Sequence, residues 1–160
     1  MQSYSKKIQP DPSRPDGTHL WLVLWKAYSS VRAYAVKNIA TLGLSFSDFA
    51  ILEVLLHRGP LPVNDIGEKV QLTSGSITLA VDRLEARKMV ERRSHATDRR
   101  TRVVHLTDGG RVAIEKAFAC HSAAMNRLES FGSEEERVQL IDMLKRLGWV
   151  ASVLAKEERK

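Results

Sequence analysis

The side chains best equipped for chemistry in this sequence are arginines. Between Arg83 and Arg102 stand eight cations (Arg83, Arg87, Lys88, Arg92, Arg93, Arg99, Arg100, Arg102) against three acids (Glu85, Glu91, Asp98), a net +5. The whole chain of 160 residues carries only +6, so the charge is concentrated. A guanidinium is planar, permanently charged and matched to phosphate oxygens. The chemistry implied is salt-sensitive capture of a nucleic-acid backbone, with no bond made or broken. Within the window, Asp98-Arg99-Arg100 is the most informative stretch. An aspartate can lock a neighbouring guanidinium, and an arginine at a hairpin tip fits a narrow, electronegative minor groove. A solvated charged turn is the plain alternative.

A second group lies just upstream. Ser74-Gly75-Ser76-Ile77-Thr78 begins a helical pattern with small hydroxyls, which approach base edges or phosphates without clashing. Backbone N–H groups of a first helical turn also meet phosphates well. Ser74, Ser76 and Thr78 are therefore candidate DNA contacts, and Arg83 and Arg87, farther along, suit phosphates. Hydroxyls in these places also simply start helices, and they carry little base code of their own.

Catalysis finds no comparable support. There is no nucleophile elbow or phosphate-cradling glycine loop. His19, His57, His95, His105 and His121 show no metal-ligand spacing, and Cys120 beside His121 does not make a natural pair. No enzyme activity, metal or cofactor is expected. Cys120, the single cysteine, excludes an internal disulfide and reads as a buried, inert thiol.

The elements that must position the basic residues follow from caps and periodicity. Residues 1–17 hold Pro10, Pro12, Pro15 and Gly17 and read as an arm. Thr18 is a suitable cap for a helix ending near Gly43, with Leu20, Val23, Leu24, Ala27, Val31 and Ala35 as one stripe. Trp21, Trp25, Tyr28 and Arg32 lie on adjacent faces, so this helix is apolar over more than one side. Ser45 with Asp48 opens the next helix, and Arg58-Gly59-Pro60 stops it. Asn64 caps a short helix, Asp65 to Val70, and Thr73 caps another, Ser74 to Lys88. That pair is a helix-turn-helix. Met89 to Arg93 and Thr101 to Leu106 form a two-stranded hairpin around a polar turn. A long helix follows from Thr107 to about Ser130, its two early glycines permitting close approach to the hairpin. In the last helix Leu140, Leu144, Leu147, Ala151 and Leu154 recur at the spacing of a seam for a facing helix.

Composition agrees with a globular domain: 43% hydrophobic and 28% charged residues. Charged residues interrupt every apolar run, so no membrane span is expected, and residues 1–17 lack the apolar stretch of a secretory signal. A cytoplasmic location is the expectation.

A helix-turn-helix followed by Asp98-Arg99-Arg100 and then by Leu106-Thr107-Asp108-Gly109-Gly110 resembles the MarR family of bacterial transcriptional regulators. The stretch Leu44-Ser45-Phe46-Ser47-Asp48-Phe49 matches as well, and the resemblance covers roughly residues 18–155. Ile66-Gly67-Glu68-Lys69 with Ser74-Gly75-Ser76-Ile77-Thr78 is similar to members that respond to quinone, phenol and thiol stress.

The resemblance implies a mainly α fold with a small β-hairpin wing: a winged helix-turn-helix over residues 43–107, and a helical dimerisation region from 18–42 and 108–155, with 156–160 as a tail. It implies a homodimer that binds palindromic double-stranded DNA, the helix from Ser74 in the major groove and Arg100, oriented by Asp98, in the minor groove. Half-sites would lie roughly 34–36 Å apart. It further implies a repressor released by a small aromatic, phenolic or quinone effector, in a cleft that Trp25, Tyr28, Arg32 and Phe49 would line. The redox-sensing branch places its cysteine near the start of the first helix, where this chain has His19, Leu20 and Trp21. A regulator without an effector, or a winged-helix protein–protein module, are the rival expectations.

Overall fold

The computed structural model describes residues 16–94 and 102–157. Six helices and three short strands follow in the order α1 Gly17–Thr41, α2 Phe46–Arg58, β1 Leu61–Pro62, α3 Val63–Val70, α4 Ser74–Ala86, β2 Val90–Ser94, β3 Arg102–Leu106, α5 Asp108–Asn126 and α6 Glu134–Glu157. A 3-10 turn, Arg127–Phe131, separates the last two helices. The Asp98-Arg99-Arg100 tip lies outside the described residues.

Local chemistry sets the element ends. Asp16, not Thr18, caps α1, accepting the His19 amide at 2.8 Å. An ionised carboxylate accepts better there than a hydroxyl. Ser45 caps α2 through the Asp48 amide, and Thr73 caps α4 through the Ser76 amide. The expected Asn64 cap is absent: α3 starts straight from Pro62, whose missing donor costs nothing at a helix start. Helix α4 ends at Ala86, short of Lys88, because Lys88 takes φ 57° and turns the chain into β2. Gln71 takes φ 56° and makes the turn of the helix-turn-helix.

The expected hairpin is one part of a three-stranded antiparallel sheet ordered β1-β3-β2. Leu61 pairs with Val104 and Pro62 with Val103, so the wing is anchored along β3 before α3 begins. The proline sits on an edge, where no ladder donor is needed. Arg92 stands opposite Val104, and Ser94 opposite Arg102.

One core joins these pieces. Ile51, Leu52 and Leu55 of α2 meet Ile66 of α3, Val81 and Leu84 of α4, and Val104 of β3, all essentially inaccessible. Ile114 of α5 and Ile39 of α1 close it from the other side. The rest of α1 and all of α6 bury almost nothing. In α1 only Ala35 and Ile39 are buried, and α6 has no buried residue. Trp21, Trp25, Val31, Ile141, Trp149 and Leu154 stand 45–69% exposed. No single helix among the described residues is long and apolar enough to cross a membrane.

Candidate nucleic-acid interface

The helix-turn-helix presents α4 outward. Its inner stripe, Ile77, Ala80, Val81 and Leu84, is buried, which turns Ser74, Ser76, Thr78 and Arg83 to the surface. The hydroxyls are already ordered. Thr73 Oγ1 donates to Ser76 Oγ at 2.9 Å, and Thr78 Oγ1 donates to the Ser74 carbonyl at 2.9 Å. Ser76 keeps its own proton for a partner outside the helix, while Thr78 offers its lone pairs.

Arg83 and Arg87 occupy a different setting from the one the sequence suggests. Asp48 of α2 is a buried carboxylate, 2% exposed, and Arg83 clasps it. Arg83 Nε donates to both Asp48 oxygens at 3.1 Å, and Nη2 reaches Oδ1 at 2.5 Å. The hydrogen bond to Asp48 raises the Arg83 pKa above its ordinary value, against a smaller desolvation effect. Arg87 adds a longer contact, 3.8 Å from Asp48 Oδ2, and donates to the Gly43 carbonyl at 3.1 Å. Both arginines remain nearly half exposed. They tie α4 to α2 and keep one side open to solvent.

The wing is fastened to the same helix by Arg92. Its Nη1 meets Glu85 at 2.6 Å, its Nη2 meets Asp82 at 2.6 Å, and its amide donates to Glu85 at 2.9 Å. Burial opposes the charge of this guanidinium, but the bonds to Asp82 and Glu85 outweigh it and its pKa is raised. Arg93 pairs with Glu91, and Arg102 donates to Ser94 Oγ at 3.0 Å. The basic window is thus less naked than its composition implies. Asp48 and Asp82, which lie outside it in sequence, fold onto it and neutralise part of its charge. Sequence reasoning missed both acids because the pairing is tertiary. An aspartate at the place where a capping box takes the longer Glu or Gln was the available signal for Asp48.

A cleft of about 440 Å³ opens on the other side of the helix-turn-helix. Tyr28 and Arg32 of α1, Phe46 and Glu53 of α2, Lys69 of α3 and Leu72 of the turn line it. The Arg32 guanidinium lies over the Phe46 ring, 5.3 Å from its centre, as a cation–π pair. Two of the four expected cleft residues are therefore present and two are not. Phe49 is 3% exposed and packs edge-on to His121 at 4.8 Å, a core position. It lies about 100° around the helix from Ala50, off the face that Phe46 and Ala50 share. Trp25 stands 6.0 Å from Trp21, exposed on α1, and does not line the cleft. Phe46 takes the aromatic place that Phe49 was expected to fill. Cys120, expected buried, is exposed on α5 in the single chain, since the buried stripe of that helix runs through Ile114 and Ala117. No grouping of metal ligands occurs among the described residues.

A helix-turn-helix with an outward second helix and a β-wing pinned to it defines a winged-helix DNA-binding protein. The MarR family model matches residues 42–101. The chain is 40% identical over 129 residues to the HTH-type transcriptional regulator MhqR of Bacillus subtilis (strain 168), spanning 81% of this chain and 89% of MhqR. It is 28% identical over 139 residues to the HTH-type transcriptional repressor MdtR of the same organism, spanning 87% and 90%. The structure of BpsR from Bordetella bronchiseptica, whose DNA binding is regulated by 6-hydroxynicotinic acid, superposes with a TM-score of 0.73. It covers 88% of this chain and 98% of BpsR at 23% identity, a likeness of fold. The chain belongs to the MarR family. It is a DNA-binding transcriptional regulator and not an enzyme.

Proposed function

We propose that this regulator is a cytoplasmic homodimeric repressor that binds an inverted-repeat operator and releases it when a small aromatic, phenolic or quinone compound enters the Tyr28–Arg32–Phe46 cleft. The observation that carries the reading is the cleft's far wall. Val70, Gln71 and Leu72 line it, and Thr73, the cap of α4, is the next residue. A ligand that displaces this turn displaces the helix that faces DNA. The lining suits a hydroxylated or carboxylated ring: Phe46 and Tyr28 supply faces, Arg32 and Lys69 supply cations. BpsR responds to a ligand of this chemistry, and MdtR is a repressor.

The dimer accounts for the apolar surface left on α1 and α6. Helices that bury so little in one chain, yet carry Trp21, Trp25, Ile141 and Trp149, are stabilised by a second chain. In this arrangement residues 18–42 and 108–155 join the two copies, and each copy presents α4 and its wing to one half-site.

Three measurements test the proposal. Replacing Arg100 by Ala is expected to weaken operator binding at least about fivefold, with the dimer unchanged by sedimentation. Wild-type binding is expected to fall steeply between low and moderate salt. Unchanged affinity for the variant removes the wing arginine from the interface. A salicylate-like or quinone-like compound is expected to lower operator affinity by roughly one to two orders of magnitude at saturation. Saturated protein with undiminished affinity rules out the effector reading and leaves the DNA-binding one.

A further inference from the structure

One side chain on α4 is out of keeping with its surroundings. Leu79 is 67% exposed on a helix whose outward face is otherwise hydroxylic, charged or small. At about 100° per residue it lies nearly opposite the centre of the buried stripe formed by Ile77, Ala80, Val81 and Leu84. It is therefore the middle of the face that a groove would receive most deeply. Its neighbours along the helix axis are Gly75 and Ala86, so nothing overtops it, and a Cβ at Gly75 would meet open space. Ser76 and Arg83 flank it on one side. Asp82 flanks it on the other, drawn onto Arg92 of the wing at 2.6 Å.

An exposed leucine at this place costs solubility and gives nothing to the core. Its apolar surface matches one feature of a major groove, the 5-methyl group of thymine. Arg83 on one side is complementary to a phosphate backbone and not to an apolar protein patch, and the Asp82 charge on the other side is taken up by Arg92. We infer that Leu79 is a specificity-determining residue that reads a thymine methyl in each half-site. This rests on the reading that α4 enters the major groove.

The test uses the full-length protein and a site selected by it from random duplex DNA. Each thymine of that site is replaced in turn by deoxyuridine, which removes the methyl and nothing else. At one thymine per half-site the replacement is expected to weaken wild-type binding about fourfold, the worth of one buried methyl. L79A is expected to bind the thymine site about as weakly and to lose that sensitivity. S76E, an acid on the same face, separates the two readings. If S76E binds DNA as well as wild type, α4 does not face DNA and the inference falls with that reading. If S76E loses binding while no deoxyuridine matters, or L79A keeps the same methyl dependence, Leu79 is not the reader and the groove assignment stands. A change in the oligomeric state of L79A would place Leu79 at a protein contact instead and overturn the inference.

Discussion

Replacing Gly110 by Ala is expected to destabilise the protein by about 3 kcal/mol or more, while the same change at Gly109 is close to neutral. The two residues are adjacent, but their surroundings differ. A Cβ on Gly110 would lie 1.8 Å from the Met89 carbonyl oxygen and 2.7 Å from its carbonyl carbon, both backbone atoms. A Cβ on Gly109 would meet nothing nearer than Thr107 Oγ1 at 4.0 Å. Relief at Gly110 would move the first turn of α5 off the chain that joins α4 to β2. That motion breaks a compact set of bonds: the Thr107 amide to Met89 O at 3.1 Å, Thr107 Oγ1 to Lys88 O at 2.7 Å, and the Gly110 amide to Thr107 Oγ1 at 2.9 Å. For a chain of this size the loss corresponds to a fall in Tm of about 6–12 °C. Thermal unfolding of the two variants side by side checks it, and equal Tm values would show that the contact is not enforced. Because the same junction orients the wing, G110A is also expected to bind operator less tightly below its unfolding temperature.

Arg83→Ala is the second large effect, and it separates structure from DNA contact. Removing the guanidinium strands the Asp48 carboxylate, which is 2% exposed, with only Arg87 at 3.8 Å. Unpairing a buried charge costs about 3–5 kcal/mol, and the half-exposed arginine brings the expectation down to about 2 kcal/mol. The measurement is a double-mutant cycle of Arg83→Ala with Asp48→Ala, read by denaturant unfolding. The double variant is expected to be more stable than the sum of the single losses predicts, because no unpaired carboxylate remains. Strict additivity would count against the pair. An arginine serving only phosphates would weaken DNA binding and leave unfolding untouched, whereas the clasp at Asp48 requires a stability loss in the absence of DNA.

Most elements were legible because they are fixed locally. Ser45, Thr73 and Thr107 cap helices where their side chains reach the third amide onward, a contact that neighbours in sequence decide by themselves. The buried stripe Ile77, Val81, Leu84 shows the period of α4, and the switch of period after Lys88 marks the strands. The misplacements fall where two local options compete. Asp16 and Thr18 are both acceptable caps two residues apart, and Asn64 offers a cap that the chain leaves unused because Pro62 is already paired with Val103 in the sheet. Strand β1 is two residues long and has no periodicity to detect, so only its partner reveals it.

The candidate interface divides in the same way. Which residues are basic, hydroxylic or small was set by the chain itself, and so was the family to which they point. Which cations remain free was decided by packing. Asp48 and Asp82 reach Arg83 and Arg92 across 35 and 10 residues, and no spacing rule links them. The cleft shows the point at smallest scale: Phe46 and Phe49 are equally aromatic and three residues apart, but the rotation of α2 against α5 sends one to the cleft and the other to His121. A sequence determines the period of a helix; the phase of that helix against its neighbours is set by the summed packing of distant residues, and it is the phase that chooses which side chain faces a ligand.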